Sequence, residues 1–489
     1  MPRRLSPLSL ICRVSTLLSV IFLAAGSAQA QNRASILPAD GETAFLRLYK
    51  SNTPLFSSIS KPDPAQQANK ENPEHQKAID VTAQYYTYRL TWDKPDKGSD
   101  KLLTDYGEVD KLMAEFFKEV NTAEADNLRR ANPVFTEMYL KALALRARDV
   151  IQTSQPLAAV NGARMLARLA RAGSDEAGDA CLEAIAPETD FLDPLARAGV
   201  QYWALQGLGN LLGRWAEAPA GADAPPVPAG RKEREAKYVA ALVKVIEQFI
   251  PRDGKLPAGL TWSSSEEERG LQVFRREAVR ALAQYRTPAV VDDKGAIKVR
   301  SALTLLKVLN NDGLTPPARL DEQIEAAWGL ARLRSKTVPL YQPDYAAQQL
   351  GYIVVEMARG AVPKDRKVPW RVHAARLADA LEAMRADTKG APDKAGDYVE
   401  KMVTQSLRVL KAGIELNEKG DAGDLKVWLS STSPPHNTLY KGLDDSTVRP
   451  LDKSDVPPPE KPAEPEKKPD EKKPGEKKPD DKPKPPVKP

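Results

Sequence analysis

Hydrophobic residues in the middle of the chain recur with helical spacing inside a short sequence motif, here called the repeated phrase, that occurs four times. The four segments begin at Ala163, Ala204, Ala278 and Ala326, and each ends on leucine, a small residue, any residue, and leucine or tyrosine. Apolar positions three and four residues apart form one buried face of a helix. The repetition therefore predicts similar helices that stack on one another across residues 156–384.

Proline and glycine mark where helices begin and end. Asparagine is a good N-cap and proline fits the first helical turn, so Asn132-Pro133 predicts a helix start. Gly173 suits the left-handed conformation that ends a helix. These signals and the apolar pattern predict helices over residues 79–92, 107–121, 133–152, 156–173, 175–185, 194–213, 233–250, 297–310, 344–360 and 398–416.

Other stretches predict loops and turns. Residues 31–73 contain several clusters of turn-forming residues and are predicted to be loop. Residues 426–429 are apolar but short, which favours a strand or a docking turn, and from residue 430 onward the pattern no longer predicts ordered structure. The serines and glutamates of residues 263–268 match a helix capping box, which explains them without cation binding.

The repeated phrase has a period close to that of two-helix repeats. The leucine that opens the last four residues of each copy is called the anchor leucine here. Successive anchor leucines are separated by 42, 74, 48 and 47 residues. Units of about 40–47 residues are typical of HEAT and armadillo repeats. The long interval contains loop-like insertions at residues 216–230 and 251–270. The anchor leucines are Leu166, Leu208, Leu282, Leu330 and, more loosely, Leu377.

Residues 276–283 and 324–333 resemble the second helix of HEAT-type repeats, and the resemblance covers about 230 residues of the chain. It implies an all-α fold, an irregular antiparallel helix-pair array or HEAT/ARM-like α-solenoid, whose second helices line a concave binding face. The sequence also departs from the family, because only Arg280 falls where such repeats usually keep a basic residue and the units differ in length. A non-repetitive helical domain is therefore the alternative fold.

The N-terminus predicts export. Residues 1–30 combine three arginines, a short apolar run and an Ala-Gln-Ala site, which is the pattern of a cleaved secretory signal peptide. The apolar run is about half as long as a membrane span, which disfavours an uncleaved anchor. No later stretch is apolar enough to span a membrane, so we expect an exported chain that is periplasmic, in the cell envelope or extracellular, without a transmembrane anchor after cleavage.

Net charge bears on which partners the chain could bind, and local composition divides the chain into regions. Signal cleavage would lower the formal net charge from +6 to +3, which gives no general attraction to nucleic acid. Residues 457–489 hold 12 prolines, 10 lysines and 8 acids, which predicts a disordered tail. The predicted regions are a signal peptide (1–30), an N-terminal region of loop and capping helices (31–130), the helical repeat domain (131–420), an irregular segment (421–456) and the tail (457–489).

Residues that could carry chemistry are sparse. The three histidines lie far apart and none has a metal-ligand partner at suitable spacing, so no metal, cofactor or catalysis is predicted. The mature chain would keep one cysteine, Cys181, at an apolar helix position typical of a buried thiol. His373 is predicted at a helix surface or interface.

Arginines on the repeated helices are the candidate binding residues. Stacked second helices would place them along one face, where they could bind a protein or an anionic envelope polymer. Alternatively, their stems shield apolar residues while their guanidinium groups pair with nearby glutamates. The candidates are Arg164, Arg168, Arg171, Arg275, Arg276, Arg280, Arg332 and Arg334.

The leading functional hypothesis is an exported interaction scaffold without catalysis. Two alternatives come from other classes: an all-α enzyme acting on glycans, and a structural spacer of the envelope. The enzyme would need two facing carboxylates in a cleft. A cleft of that kind beside Trp203, Trp262 or Trp328 would favour the enzyme.

Overall fold

A computed structural model of the chain describes most of the residues between 41 and 443. These residues belong to one compact unit, Met1–Leu451, whereas the second unit, Asp452–Pro489, lies outside them. The predicted signal peptide and tail also lie outside them, as does most of the insertion at residues 216–230. The described ranges are 41–61, 68–91, 106–124, 132–152, 156–186, 194–217, 230–252, 255–257, 260–360, 370–390, 394–416 and 421–443.

The fold is mostly helical. Fifteen α-helices account for 75% of the described residues, and strand accounts for 3%. Among these residues no helix has both the length and the hydropathy that crossing a membrane requires. The elements in chain order are α1 (Gly41–Ile59), α2 (Pro73–Tyr88), α3 (Tyr106–Glu124), α4 (Pro133–Ile151), α5 (Pro156–Ala172), α6 (Asp175–Ile185), α7 (Pro194–Glu217), α8 (Arg231–Glu247), α9 (Ser265–Leu282), β1 (Val290–Val291), β2 (Ile297–Val299), α10 (Ser301–Leu309), α11 (Leu320–Leu330), α12 (Pro343–Gly360), α13 (Trp370–Thr388), α14 (Lys394–Leu416) and α15 (Gly423–Ser431).

Capping residues set several helix boundaries as predicted. The Asn132 side chain accepts a hydrogen bond from the Phe135 N–H at 3.0 Å, and proline follows it at the first helical position. Helix α5 ends at Gly173, whose φ of 98° favours glycine. The Ser264 hydroxyl accepts from the Glu267 N–H, which confirms that this acidic cluster begins α9.

Helix α1 corrects the prediction of loop over residues 31–73. Pro54 lies inside this helix and removes one backbone donor. Packing outweighs that loss, because Phe45 is only 2% exposed and lies in a core cluster with Val81. The Asn52 side chain also donates to the Leu48 carbonyl at 2.8 Å.

Three other predicted boundaries were wrong. Residues 426–429 belong to helix α15 rather than to a strand or turn. Helix α7 continues past Gly213 to Glu217, since this glycine lies against the Gln284 side chain and makes room for it. The helix predicted from residue 297 begins only at Ser301, because residues 297–299 pair with β1 as an antiparallel hairpin.

Residues 432–443, where no ordered structure was predicted, pack on the helical body. Tyr440 is fully buried and its hydroxyl donates to the Pro288 carbonyl at 2.6 Å. The buried carboxylate of Asp344 accepts from the His436 N–H at 2.8 Å and lies 3.0 Å from His436 Nδ1. These contacts fix the segment to the start of α12 and to the stretch before β1.

The helices that carry the repeated phrase are neighbours in chain order. Helix α5 contacts α7, α7 contacts α9, α9 contacts α11, and α11 contacts α13. Each of these five carries one anchor leucine, and all five leucines are at most 1% exposed. The preceding helices α4, α6, α8 and α10 pack on α5, α7, α9 and α11, respectively. We call α5, α7, α9, α11 and α13 the motif-bearing helices.

Small residues beside the anchor leucines make the same contact at three successive interfaces. The residue before one anchor faces the residue after the neighbouring anchor. A methyl group on Gly207 would lie 3.3 Å from Cα of Ala167, and one on Gly209 would lie 3.0 Å from Cα of Ala281. At the next interface, a methyl group on Gly329 would lie 2.9 Å from Cα of Ala283. The phrase therefore encodes close backbone approach in a constant register.

Candidate functional site

Arg275 is a core residue. Its side chain is fully buried, and its guanidinium group donates to both carboxylate oxygens of Glu322, at 2.7 and 3.2 Å. It also donates to the carbonyls of Pro316 and Pro317, at 2.7 and 3.2 Å. Because it is 0% exposed, Arg275 is not on a surface that a partner could touch.

Two other candidates on α9 form an ion network with α11 and α13. Arg276 lies 2.9 Å from Asp321. Arg280 bridges two buried carboxylates, Glu277 at 3.0 Å and Glu325 at 2.8 Å. These contacts correspond to the alternative in which arginines pair with neighbouring acids.

Glu325 is the centre of this network. Arg376 on α13 donates to its two carboxylate oxygens at 3.0 and 3.2 Å. Burial alone would raise the pKa of Glu325, but the charges and hydrogen bonds of Arg280 and Arg376 outweigh it and lower the pKa to about 2. Glu325 is therefore ionised at neutral pH and carries no proton that it could donate as a general acid. The side chains of Arg280 and Arg376 remain 38% and 34% exposed.

The arginines of α5 have three different environments. The Arg164 guanidinium carbon lies 5.3 Å from the ring centre of Phe117 and 5.7 Å from that of Trp203, so it interacts with two aromatic rings. Arg168 donates a hydrogen bond to the Asn121 side chain. Arg171 is exposed in the last turn of the helix.

Arg332 and Arg334 follow the end of α11. Arg332 lies over the ring of Trp328, with its guanidinium carbon 3.8 Å from the ring centre. Arg376 lies over the same ring at 4.6 Å. Arg334 is exposed and donates to the Ala216 carbonyl in the last turn of α7, at 2.7 Å.

Arginine and aromatic side chains thus follow one another across all five motif-bearing helices. Arg164 on α5 contacts Trp203 on α7, and Arg280 on α9 reaches the carboxylate on α11 that Arg376 on α13 also binds. Tyr202 on α7 lies near the acid Glu277 of α9: its pKa is raised first by burial and then by the charge of Glu277. We call this surface the arginine–aromatic band. It consists of Arg164, Tyr202, Trp203, Arg276, Arg280, Trp328, Arg332 and Arg376.

Sequence reasoning missed Arg376 and the acids that pair with the arginines of the band. The missed signal was positional, since Glu277 and Glu325 each lie five residues before an anchor leucine in successive phrases. Arg376 lies just before Leu377, where the three preceding phrases have a glycine or an alanine.

His373 lies at the edge of the ion network. It is half-buried on α13, and burial lowers its pKa from 6.5. Cys181 is fully buried as predicted, and burial raises the pKa of its thiol. Among the described residues no group of three or more His, Cys, Asp or Glu side chains is arranged to hold a metal ion.

The described lining of two cavities contains no residue of the arginine–aromatic band. One, of about 820 Å³, is lined by α8, the stretch that follows it, β2 and α10, and Glu247 is the one acid among its described lining residues. The other, of about 520 Å³, lies between α6, α7 and α8, and Glu183 is the one acid among its described lining residues. Neither set of described lining residues includes Trp203, Trp262 or Trp328, beside which a cleft with two facing acids would favour the glycan-cleaving enzyme.

Comparison of the chain with protein-family models, with curated proteins and with solved structures found no match.

Proposed function

We propose that this protein is an exported helical-repeat scaffold that binds a protein partner through the arginine–aromatic band. The single observation that carries the proposal is that all five neighbouring motif-bearing helices contribute side chains to the band, from Arg164 on α5 to Arg376 on α13. Tryptophan, tyrosine and arginine are the residues that most often dominate the energy of protein interfaces. A partly exposed run of these three types is therefore suited to binding a protein.

The constant register of the small residues supports the repeat architecture. In a solenoid, each unit packs on the previous one in the same way, and the second helices together form an extended binding face. The contacts of Gly207 with Ala167 and of Gly329 with Ala283 have this property. The proposed array is a HEAT/ARM-like α-solenoid, and residues 1–30 support export through their signal-peptide pattern.

The state of the acids favours binding over glycan cleavage. An enzyme of that class needs a carboxylic acid with a raised pKa next to a second carboxylate. Beside Trp328 the carboxylate is Glu325, whose pKa is lowered to about 2 and whose oxygens are held by two arginines. Such a group suits a fixed structural network.

Crosslinked capture from the native envelope fraction tests the proposal. We expect the wild-type chain to recover one stoichiometric partner, and Arg164→Glu to lose it because the substitution reverses the charge between Phe117 and Trp203. The matched control is Arg408→Glu, an exposed arginine on α14 with the same change in charge. Melting temperatures of both variants establish that they are folded.

The outcome decides between binding surfaces and between partner classes. Equal recovery by wild type and Arg164→Glu would show that the band is not the binding surface. Recovery of a polysaccharide in place of a protein, with the same dependence on Arg164, would replace the protein partner by the anionic envelope polymer.

A further inference from the structure

The surroundings of Trp328 hold an arginine without a carboxylate of its own. Arg376 is paired with Glu325, which Arg280 shares. Arg286, which follows α9, lies 3.0 Å from Glu217. The ion pairs of the described residues thus assign an acid to each of these arginines and give none to Arg332. We call Arg286, Trp328, Arg332 and Arg376 the Trp328 cluster.

Arg332 is also incompletely hydrogen-bonded. Its Nη1 atom is buried and has no hydrogen-bond partner among the described residues. A buried donor without an acceptor is unfavourable, and a half-buried cation without an anion is more so. The face of Trp328 offsets part of this cost through its cation–π contact at 3.8 Å, but an aromatic ring does not neutralise a charge.

Repulsion between the arginines also indicates that Arg332 lacks a neutralising anion. The pKa of Arg332 is lowered to about 10, first by burial, then by the positive charge of Arg286 and more weakly by that of Arg376. Glu217 opposes this effect only in part. An anion beside Arg332 would offset both the cost of burying its charge and the repulsion from Arg286 and Arg376.

We propose that the Trp328 cluster binds a carboxylate side chain of the protein partner, which pairs with the guanidinium group of Arg332. This inference deepens the proposed function and rests on it. A guanidinium group has planar donors that match the two oxygens of a carboxylate. Arg332 would be the residue that binds the ligand, and Arg286 a second source of attraction.

Two acids near the cluster favour a carboxylate over a phosphate. Glu217 is paired with Arg286, and Glu325 lies one helical turn from Trp328. A doubly charged phosphate would be repelled by both, whereas a singly charged carboxylate meets half of that repulsion. Tyr202 and Trp203 elsewhere in the band favour a peptide as the carrier of this carboxylate.

Titration of the full chain with poly-L-glutamate tests the site. We expect Arg332→Gln to weaken binding roughly tenfold or more, the loss typical of one charge-assisted hydrogen bond. Arg332→Lys, which keeps the charge but loses the planar donors, should recover only part of the affinity. The fluorescence change on binding should be lost in Trp328→Phe, because that tryptophan lies against Arg332.

Arg334→Gln is the matched control. It removes the same charge two residues away, from an exposed side chain that binds the Ala216 carbonyl, and should leave the affinity within about twofold. An equal loss in Arg332→Gln and Arg334→Gln would mean attraction by charge alone and would overturn the proposal. So would wild-type affinity in both Arg332→Gln and Arg286→Gln.

Two further arms identify the ligand. Displacement of poly-L-glutamate by inorganic phosphate at equal concentration would overturn the carboxylate assignment. Binding of polygalacturonate without binding of poly-L-glutamate would overturn the peptide source. If Arg164→Glu loses the captured partner while Arg332→Gln binds both partner and poly-L-glutamate normally, the proposed function stands and this inference fails.

Discussion

The α5–α7 and α11–α13 interfaces join neighbouring motif-bearing helices by different means. In α5–α7, Gly207 allows the helix to approach the backbone of Ala167, and the Asn210 side chain donates to the Ala167 carbonyl at 3.0 Å. In α11–α13, the position equivalent to Gly207 is Arg376, which forms two hydrogen bonds with Glu325. The same position of the repeated phrase is thus a glycine at one interface and an arginine paired with a glutamate at the other.

This difference shows that one register accommodates two kinds of stabilisation. Close packing of small residues depends on dispersion and is insensitive to pH and charge. A buried ion pair depends on both partners being present and charged. The α9–α11 interface combines the two, since Gly329 lies against Ala283 while Arg275 binds Glu322. Among the motif-bearing helices, sensitivity to charge should therefore be confined to α9, α11 and α13.

Arg275→Met should have the largest effect on stability. The substitution leaves the Glu322 carboxylate buried without its cation, and breaking a buried ion pair on one side costs about 3–5 kcal/mol. Urea unfolding, followed by far-ultraviolet circular dichroism, measures the loss. Arg171→Met, at an exposed position of α5, should change the free energy of unfolding by less than about 0.5 kcal/mol.

A double variant separates the pair from its surroundings. Arg275→Met combined with Glu322→Met removes both charges, and the double variant should be more stable than Arg275→Met alone. If the single and double variants are equally unstable, the carbonyls of Pro316 and Pro317 dominate the role of Arg275, and the ionic description of α9–α11 is wrong.

Glu325→Gln should have the second largest effect, and it should depend on pH. The pKa of Glu325 is lowered from 4.5 to about 2 in the folded chain, which corresponds to roughly 3 kcal/mol of stability at neutral pH. Between pH 4.5 and pH 2 the unfolded chain binds the proton more tightly, so this contribution falls as the pH falls through that window. It is fully present above pH 4.5.

Unfolding free energies of wild type and Glu325→Gln at pH 7, 4 and 3 measure this contribution. The difference between the two should shrink from pH 4 to pH 3. Glu356→Gln, at an exposed position of α12, provides the control and should follow the wild type at each pH. A difference that stays constant with pH would show that Glu325 acts through packing rather than through its charge.

The helical elements could be predicted from the sequence because their signals are local. Asn132 caps α4, and Leu208 and Leu282 are buried as anchors, since capping and apolar periodicity act within one helix. Helix α1 was missed because its stability comes from Phe45 packing against α2, which lies some 30 residues further on. Local turn signals cannot show that contact.

The candidate site could be predicted only in part, for the same reason. The arginine-bearing face followed from helical spacing, and the structure does place Arg164, Arg276, Arg280 and Arg332 in the band. Glu277 lies on α9 with Arg280, but the other acids that pair with the band, Asp321 and Glu325, are on α11, and their pairing depends on the register between helices. Arg275 shows the limit most clearly, because spacing alone does not reveal that its partner Glu322 is buried with it.

Gly207→Ala tests the other side of the comparison and should have the smallest effect of the three. The new methyl group would lie 2.5 Å from the sulfur of Cys181 and 3.3 Å from Cα of Ala167, closer than the packing allows. Overpacking of this kind typically costs about 1–3 kcal/mol. The loss should not vary with pH between 4 and 7, because no charged group takes part.

Two further variants isolate the steric cause. Gly270→Ala, at an exposed helical position with nothing nearby, should be stabilising by about 0.5–1 kcal/mol because alanine favours helix. Cys181→Ala combined with Gly207→Ala removes the sulfur that the new methyl group meets, and should recover much of the stability that Gly207→Ala loses relative to Cys181→Ala. If Gly207→Ala is instead as stable as Gly270→Ala, the α5–α7 interface does not depend on close approach, and the contrast with α11–α13 is lost.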